Sequence, residues 1–300
     1  MATIQTILAS YRPEIDNLDL ELILAHELKK SREFVLAHPE YKISENLIRQ
    51  LAEKIARRRR GEPLAHILGH KEFYGLDFKV TKDTLIPRPE TELLVETATC
   101  NMKHATCNKN EAIKIIDIGT GSGNIIISIA KAIESKNLLH ASCYMLYGID
   151  ISEKALIVAK HNAKKNNVAG KIKFLQGNLL EPILKDTRYK IQDTRYLLLA
   201  NLPYLSKEIY SATLPTVKNF EPKSALYSPK AGLDHYEKLL KQIQALRKNC
   251  YMLNASCFME ISPEQKKALT ALIKKKLPSA KIEFKKDLAG KWRVCVISLN

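Results

Sequence analysis

Ile115-Ile116-Asp117-Ile118-Gly119-Thr120-Gly121-Ser122-Gly123 is an apolar run that ends in a glycine-rich turn. The segment 113–118 reads as a buried strand, and a helix is expected from residue 124. Glycine lacks a Cβ, so such a turn lets the backbone approach a ligand closely. The helix that follows presents unbonded N–H groups to the same place. The spacing Gly119-x-Gly121-x-Gly123 differs from the G-x-G-x-x-G of dinucleotide sites and suits a cofactor without a pyrophosphate.

Outward from this turn, strands and helices alternate. Strands are expected at 143–149, 171–176, 196–200, 251–260, 281–286 and 292–299, with helices at 153–166, 236–248 and 263–276. Alternation of this kind predicts a mostly parallel sheet with helices on both faces. The closing pair around Gly290 implies at least one antiparallel edge strand. Asp150 closes the second strand, where a carboxylate can accept both hydroxyls of a ribose. Asn178 follows the third strand, where a polar side chain can meet an adenine edge while Leu179 packs on the ring. With Gly119, Thr120, Gly121, Ser122 and Gly123, these residues suggest S-adenosyl-L-methionine as the cofactor. The alternative is a plain glycine turn beside a surface aspartate and a turn asparagine.

The fourth strand, Tyr196-Leu197-Leu198-Leu199-Ala200, runs into Asn201-Leu202-Pro203-Tyr204. The asparagine oxygen can accept a hydrogen bond from an NH2 group, and a neighbouring backbone carbonyl can accept the second. Proline stiffens the turn, and tyrosine offers a flat face to a planar group. Asn201, Leu202, Pro203 and Tyr204 are therefore the catalytic candidates, with Asn201 also expected beside the cofactor. The chemistry that fits is methylation of a planar nitrogen, either an amide or an exocyclic base amine.

Upstream, Leu20, Ile23, Leu24 and Leu28 fall at helical spacing, as do Ile48, Leu51 and Ile55, so residues 1–60 are expected to be all helical. Arg57-Arg58-Arg59-Arg60 closes the second helix, where cations complement the macrodipole. It reads as a solvated helix end, with a phosphate-binding patch as the alternative. Phe73-Tyr74-Gly75-Leu76-Asp77-Phe78-Lys79-Val80 reads as a hairpin bent near Gly75. His66 and His70 share no helical face and read as structural rather than metal-ligating. Pro87-Arg88-Pro89 fixes an extended lead-in to a helix carrying Leu93, Leu94 and Val95. The polar stretch 100–112 reads as a junction, and the repeated Asp186-Thr187-Arg188-Tyr189 and Asp193-Thr194-Arg195-Tyr196 as a loop insertion.

Composition excludes several classes. The apolar fraction of 45% supports a real core, yet no apolar run approaches the ~18 residues of a membrane span. The first thirty-one residues carry Glu14, Asp16, Asp19 and Glu21, unlike a secretory or organellar leader, so a soluble cytoplasmic protein is expected. Cys100, Cys107, Cys143, Cys250, Cys257 and Cys295 form no C-x-x-C pair, which argues against zinc. They read as reduced, mostly buried small hydrophobes. The formal charge of +16 favours an anionic partner, but the lysines are spread throughout.

The chain resembles the HemK-type (PrmC) glutamine N5-methyltransferases that modify peptide chain release factors. The pieces that carry the resemblance begin with Gly61-Glu62-Pro63-Leu64, Ile67-Leu68-Gly69, Phe73-Tyr74-Gly75 and Leu85-Ile86-Pro87-Arg88-Pro89-Glu90-Thr91-Glu92. They continue with Asp117 to Gly123, Asn201-x-Pro203-Tyr204, Phe220-Glu221-Pro222, Ala225-Leu226, Gly232-Leu233-Asp234 and Asp287-Leu288-Ala289-Gly290. The resemblance spans nearly the whole chain, and the proline-arginine-proline segment discriminates it from general methyltransferases. It implies an α/β, Rossmann-like class I domain over 111–300, with a mostly parallel seven-stranded sheet whose last strand is antiparallel. A helical substrate-recognition domain over 1–62 and a hairpin and linker helix over 63–110 would precede it. It also implies methylation of the glutamine in a Gly-Gly-Gln loop of release factors. Those factors would be the partners; a monomer is the simplest assumption, and no membrane association and no stable nucleic-acid complex are expected.

Two positions depart from the family pattern. Leu202 stands where the family usually has proline, in a position whose backbone carbonyl is thought to meet the substrate amide. Asn178 stands where aspartate is common. Asn-Leu-Pro-Tyr is also a form seen in enzymes similar to rRNA adenine N6-dimethyltransferases. An adenine N6-methyltransferase acting on RNA or DNA therefore stays open, as does a fold that binds without turnover.

Overall fold

The computed structural model describes residues 2–103, 112–135, 143–185, 194–250 and 255–299. Most of the 100–112 junction, Cys107, the first copy of the Asp-Thr-Arg-Tyr repeat, Asp193 and residues 251–254 of the expected fifth strand lie outside these. The chain forms two compact units, Met1–Lys71 with Leu214–Phe220, and Glu72–Thr213 with Glu221–Asn300.

The first unit is built on helices Ile4–Tyr11, Asn17–Leu28, Arg32–Ala37, Glu45–Arg59 and Leu64–Leu68. Leu20, Ile23 and Leu24 meet Leu51 and Ile55 in one buried cluster, as their 3.6-residue spacing requires. The region is not entirely helical. Strands β1 (Ala2–Thr3) and β2 (Lys42–Ile43) pair antiparallel, and two-residue strands are too short to leave a periodic signal. The arginine run ends its helix among carboxylates, with Arg57 paired to Glu62, Arg58 to Asp19 and Arg59 to Glu14. His66 lies within the short helix Leu64–Leu68, whereas His70 lies in a strand. Among the described residues no group of three His, Cys, Asp or Glu side chains could hold a metal. The segment Leu214–Phe220 joins this unit across a long sequence gap. A Cβ on Gly61, whose φ is +85°, would lie 3.4 Å from the Thr216 methyl.

The second unit holds the sheet. A hairpin, β3 (His70–Phe73) and β4 (Leu76–Lys79), turns through Tyr74 and Gly75, both at positive φ. The main sheet comprises β5 (Ala112–Ile118), β6 (Tyr144–Asp150), β7 (Ile172–Gln176), β8 (Thr194–Ala200), β9 (Ala255–Glu260), β10 (Lys281–Lys286) and β11 (Trp292–Leu299). Its order is β10-β11-β9-β8-β5-β6-β7. Strands β5 to β9 run parallel. The last strand, β11, is antiparallel to both β9 and β10 and lies inside the sheet, leaving β10 at the edge.

Alternation along the strands divides the core. Ile116, Ile118, Leu198 and Ala200 pack on helices Asp234–Cys250 and Lys266–Lys276 through Leu239, Ile243, Leu269 and Ile273. Ile113, Ile115, Leu197 and Leu199 pack on helices Glu92–Lys103 and Asn124–Ser135 through Leu94, Ala98, Ile126 and Ile129. Burying each of the Ile and Leu side chains here contributes about 1.5–3 kcal/mol, and burial on both faces is why β5 is mostly apolar, interrupted by Lys114 and Asp117. Cys257 and Cys295 are buried free thiols, and burial pushes the Cys295 thiol up to about 12. Cys100 is free but exposed, unlike the expectation of mostly buried cysteines. No helix among the described residues is long and apolar enough to cross a membrane.

Candidate active site

The strand order reverses at β5, which lies between β6 and β8. In open α/β sheets the crevice outside the carboxyl ends of the strands at such a point is where ligands bind. Here Ile118 pairs with Ala200 and with Ile149. The turns beginning at Gly119 and Asn201 therefore leave the sheet side by side, with Asp150 beyond. They line a cavity of about 370 Å³.

Backbone bonds shape the first turn. The N–H groups of Gly119 and Thr120 both donate to the Ile149 carbonyl, at 2.8 and 2.9 Å. Gly119 sits at φ +73°, and a Cβ there would lie 3.1 Å from Leu202 Cδ2. Thr120 Oγ1 donates to Asp117 Oδ2 at 2.6 Å. Burial pushes the Asp117 carboxyl up to about 7 against the opposing Thr120 hydrogen bond. Asp150 Oδ2 accepts from Gly121 N and Oδ1 from Ser152 N, each at 2.9 Å. Burial raises the Asp150 pKa, opposed by these backbone bonds. Ile151 is a third backbone donor to this carboxylate, which offers about four lone-pair sites in all. Asn178 and Leu179 form the third wall. Gln242 holds that turn, accepting from Leu180 N at 2.6 Å and donating to the Asn178 carbonyl at 3.3 Å.

Side chains from distant segments shape the second turn. Asn201 Nδ2 donates to Thr91 Oγ1 at 3.1 Å, and Thr91 Oγ1 donates to Glu260 Oε2 at 2.6 Å. The Tyr204 hydroxyl donates to Glu260 Oε1 at 3.1 Å. The Tyr204 carbonyl and the Gly232 carbonyl both accept from Gln265 Nε2, at 3.1 and 3.0 Å. Gly232 is at φ +83°, and a Cβ there would fall 2.0 Å from the Tyr204 carbonyl oxygen. The Gly232-Leu233-Asp234 motif thus begins with a residue that only glycine can fill. Arg88 pairs with the buried Glu221, which also accepts from Ile86 N at 3.0 Å. This pair joins the proline-arginine-proline segment to Phe220-Glu221-Pro222, and both segments contribute to the cavity wall.

Most of the residues expected from sequence come together here. Gly119, Thr120, Gly121, Ser122, Asp150, Asn178, Leu179, Asn201, Leu202 and Pro203 all line the cavity. Gly123 does not; a Cβ on it would lie 3.2 Å from Ala159 Cβ, so its absence lets two helices approach. Tyr204 is also absent from the lining, with its hydroxyl bound to Glu260. Sequence reasoning missed Thr91, Glu260, Gln265 and Ile151. Glu260 had a signal, because it is a carboxylate ending an apolar strand, as Asp150 is.

Comparison with known proteins places this geometry. Residues 2–69 match the PrmC N-terminal domain, and residues 109–281 match a methyltransferase domain. The catalytic domain of hMettl16 in complex with an RNA hairpin superposes with TM-score 0.51 at 13% identity. That match covers 92% of this chain and 90% of the other, and it speaks to the fold alone. Fold and site together define a Rossmann-like methyltransferase. The release factor glutamine methyltransferase of Bacillus cereus is 34% identical over 91% of this chain and 89% of its own length. Its counterparts in Clostridium botulinum and Bacillus subtilis are 34% and 30% identical, each over 92% of this chain and 90% of their own length. The chain belongs to the release factor glutamine methyltransferase family.

Proposed function

We propose that this chain transfers a methyl group from S-adenosylmethionine to the side-chain amide nitrogen (N5) of the glutamine in the Gly-Gly-Gln loop of peptide chain release factors. The observation that carries the reading is the Asn201 amide. Its nitrogen is engaged by Thr91, which leaves Oδ1 as the acceptor, and Asn201 and Leu202 both line the cavity. Two adjacent acceptors suit the two N–H bonds of a primary amide.

The cofactor fits the residues present. A Cβ on Gly121 would meet nothing nearer than the Gly119 carbonyl at 4.0 Å, so the turn leaves room for close approach. Asp150 lines the cavity and keeps acceptor capacity for a ribose hydroxyl beside its backbone donors. Gly119 to Ser122 would hold the part nearest the backbone, Asp150 the ribose hydroxyls, and Asn178 with Leu179 the adenine. When bound, S-adenosylmethionine supplies a sulfonium methyl that is already activated.

The chain's own task is the nucleophile. An amide nitrogen donates its lone pair into its carbonyl and is almost non-basic. Asn201 Oδ1 and the Leu202 carbonyl each accept one N–H, orienting the nitrogen and stabilising the positive charge that develops on it. The proton leaves to water after transfer. The first unit, with its helical bundle, selects the protein substrate, and its charge mainly sets the association rate.

A radiolabelled methyl-transfer assay tests this. The enzyme is offered a release factor, the same factor with Gln→Ala in its Gly-Gly-Gln loop, and ribosomal RNA. Label on the release factor that disappears in the variant is expected. Label on RNA alone would replace the amide reading with the adenine one.

A further inference from the structure

Glu260 ends β9 and is 2% exposed. Its carboxyl receives hydroxyl hydrogens from two sides, Thr91 on Oε2 and Tyr204 on Oε1. The Tyr236 hydroxyl donates to its backbone carbonyl. Arg293, paired with Asp287, and Glu90 are the charged groups that act on it. Burial raises the Glu260 pKa, opposed by the Thr91 and Tyr204 hydrogen bonds and by Arg293; as the carboxylate these bonds favour, it has acceptors only. Thr91 must therefore spend its single hydrogen on Glu260, and its oxygen is then left as an acceptor. Only the NH2 end of Asn201 can meet that acceptor, so Oδ1 is turned the other way.

We infer that Glu260 and Thr91 are positioning residues that set which end of the Asn201 amide faces the substrate. The inference rests on the assignment of Asn201 as the substrate-holding residue. An asparagine amide without such a constraint can flip, because its oxygen and nitrogen ends are nearly equal in size. A flipped Asn201 would point a donor at the substrate NH2, where an acceptor is needed. Glu260 and Thr91 form a chain in which each hydrogen has one possible direction. It begins at a group that water does not reach. Tyr204 supplies the second hydroxyl, which gives the tyrosine of the Asn-x-Pro-Tyr turn a bracing role beneath it.

The test uses Thr91→Val, Thr91→Ser, Asn201→Ala and the Thr91→Val/Asn201→Ala double variant of the full chain. Turnover, KM for the methyl acceptor, cofactor affinity and melting temperature are measured for each. Thr91→Val is expected to lower kcat by about 10²-fold, the scale of a misplaced catalytic group, with KM and cofactor affinity within about threefold. Thr91→Ser keeps the hydroxyl and should recover turnover to within about threefold of wild type. The double variant should be no slower than Asn201→Ala, because the relay acts only through the asparagine. Three results would overturn the inference: undiminished turnover in Thr91→Val, a loss that serine does not recover, or a double variant whose losses multiply. Cofactor binding in Thr91→Val shows that the protein is folded. If the wild type labels RNA instead of a release factor, the same four proteins are compared on RNA. The substrate assignment then falls, while the relay is judged on its own.

Discussion

The turn after β5 and the turn after β8 stand side by side at the reversal of strand order, yet they are held by different means. Backbone geometry holds the first: Gly119 and Thr120 share one carbonyl, and Gly121 N meets Asp150. Side chains from elsewhere in the chain hold the second, with Thr91, Glu260 and Gln265 all reaching it. A site that clasps a cofactor can rest largely on main-chain groups, here braced by the neighbouring carboxylates Asp117 and Asp150. A site that must present two acceptors in one orientation needs partners that fix the direction of each hydrogen.

If this division is right, the largest effect should come from the one glycine that underlies the second turn. Gly232→Ala places a Cβ 2.0 Å from the Tyr204 carbonyl oxygen and 2.6 Å from Gln265 Nε2, at φ +83°. Neither neighbour can yield without moving the Asn201 turn. A loss of about 4 kcal/mol in stability is expected, together with the greater part of turnover. Chemical denaturation and the methyl-transfer assay read both. An alanine variant of normal stability and activity would show that the second turn is softer than its contacts suggest.

Next in size is a pair of substitutions that should separate the two turns. Asn201→Ala removes an acceptor from the developing charge, and kcat should fall by about 10²–10³-fold. Cofactor affinity should stay within about threefold if that turn serves the substrate. Asp150→Asn should do the reverse. Replacing a charged acceptor costs about 1.5–3 kcal/mol, so cofactor should dissociate ten- to a hundredfold more readily. Titration calorimetry and steady-state kinetics on both variants distinguish the two patterns. If each lowered kcat and affinity alike, the turns would be one unit.

What the sequence revealed follows the same line. The glycine spacing and the strand runs are local, and among the described residues the expected strand ends fall within about two residues of the observed ones. Periodicity of 2 or 3.6 is strong over five or more residues. It is silent for β1 and β2 at two residues each. The Thr91–Glu260 contact joins residues 169 positions apart, and nothing in the order of residues announces such a partner. Phe220-Glu221-Pro222 and Pro87-Arg88-Pro89 stand as separate motifs in the sequence, and only the fold shows that Arg88 and Glu221 are one ion pair. The Tyr204 ring packs against the apolar cluster and its hydroxyl bonds Glu260, a partner that the flatness of the ring does not announce.

The first turn has a pH dependence of its own. Asp117 anchors Thr120 from inside the sheet, and burial raises its carboxyl from 3.8 to about 7. A folded-state pKa above the unfolded value means that the folded form holds the proton longer. Its contribution to stability is therefore complete below about pH 4 and is lost as pH rises through 7. Between pH 5 and 7 this amounts to about 2 kcal/mol. Asp117→Asn keeps an oxygen for the Thr120 hydroxyl and cannot ionise. Denaturation at the two pH values should show the wild type losing stability relative to the variant by that amount. Parallel behaviour of the two proteins would mean that Asp117 is ionised in the fold.

The smallest effect concerns the residue at which the two turns touch. Leu202 is 3% exposed and belongs to the same apolar cluster as Ile118 and Ala200. Its side chain faces the core beside Gly119, and only its backbone carbonyl is asked to meet substrate. Leu202→Pro trades a branched side chain for a smaller ring. The lost packing costs about 1 kcal/mol, partly offset by about 0.4–1 kcal/mol from a stiffer unfolded chain. The carbonyl acceptor survives, so turnover on a release factor should remain within about threefold. A tenfold loss would mean that proline shifts the carbonyl and that leucine sets the geometry of this turn. If the substitution moved label between a release factor and RNA, residue 202 would be selecting the substrate through its backbone path. The two turns would then share specificity, because the leucine that shapes one packs directly on the glycine that opens the other.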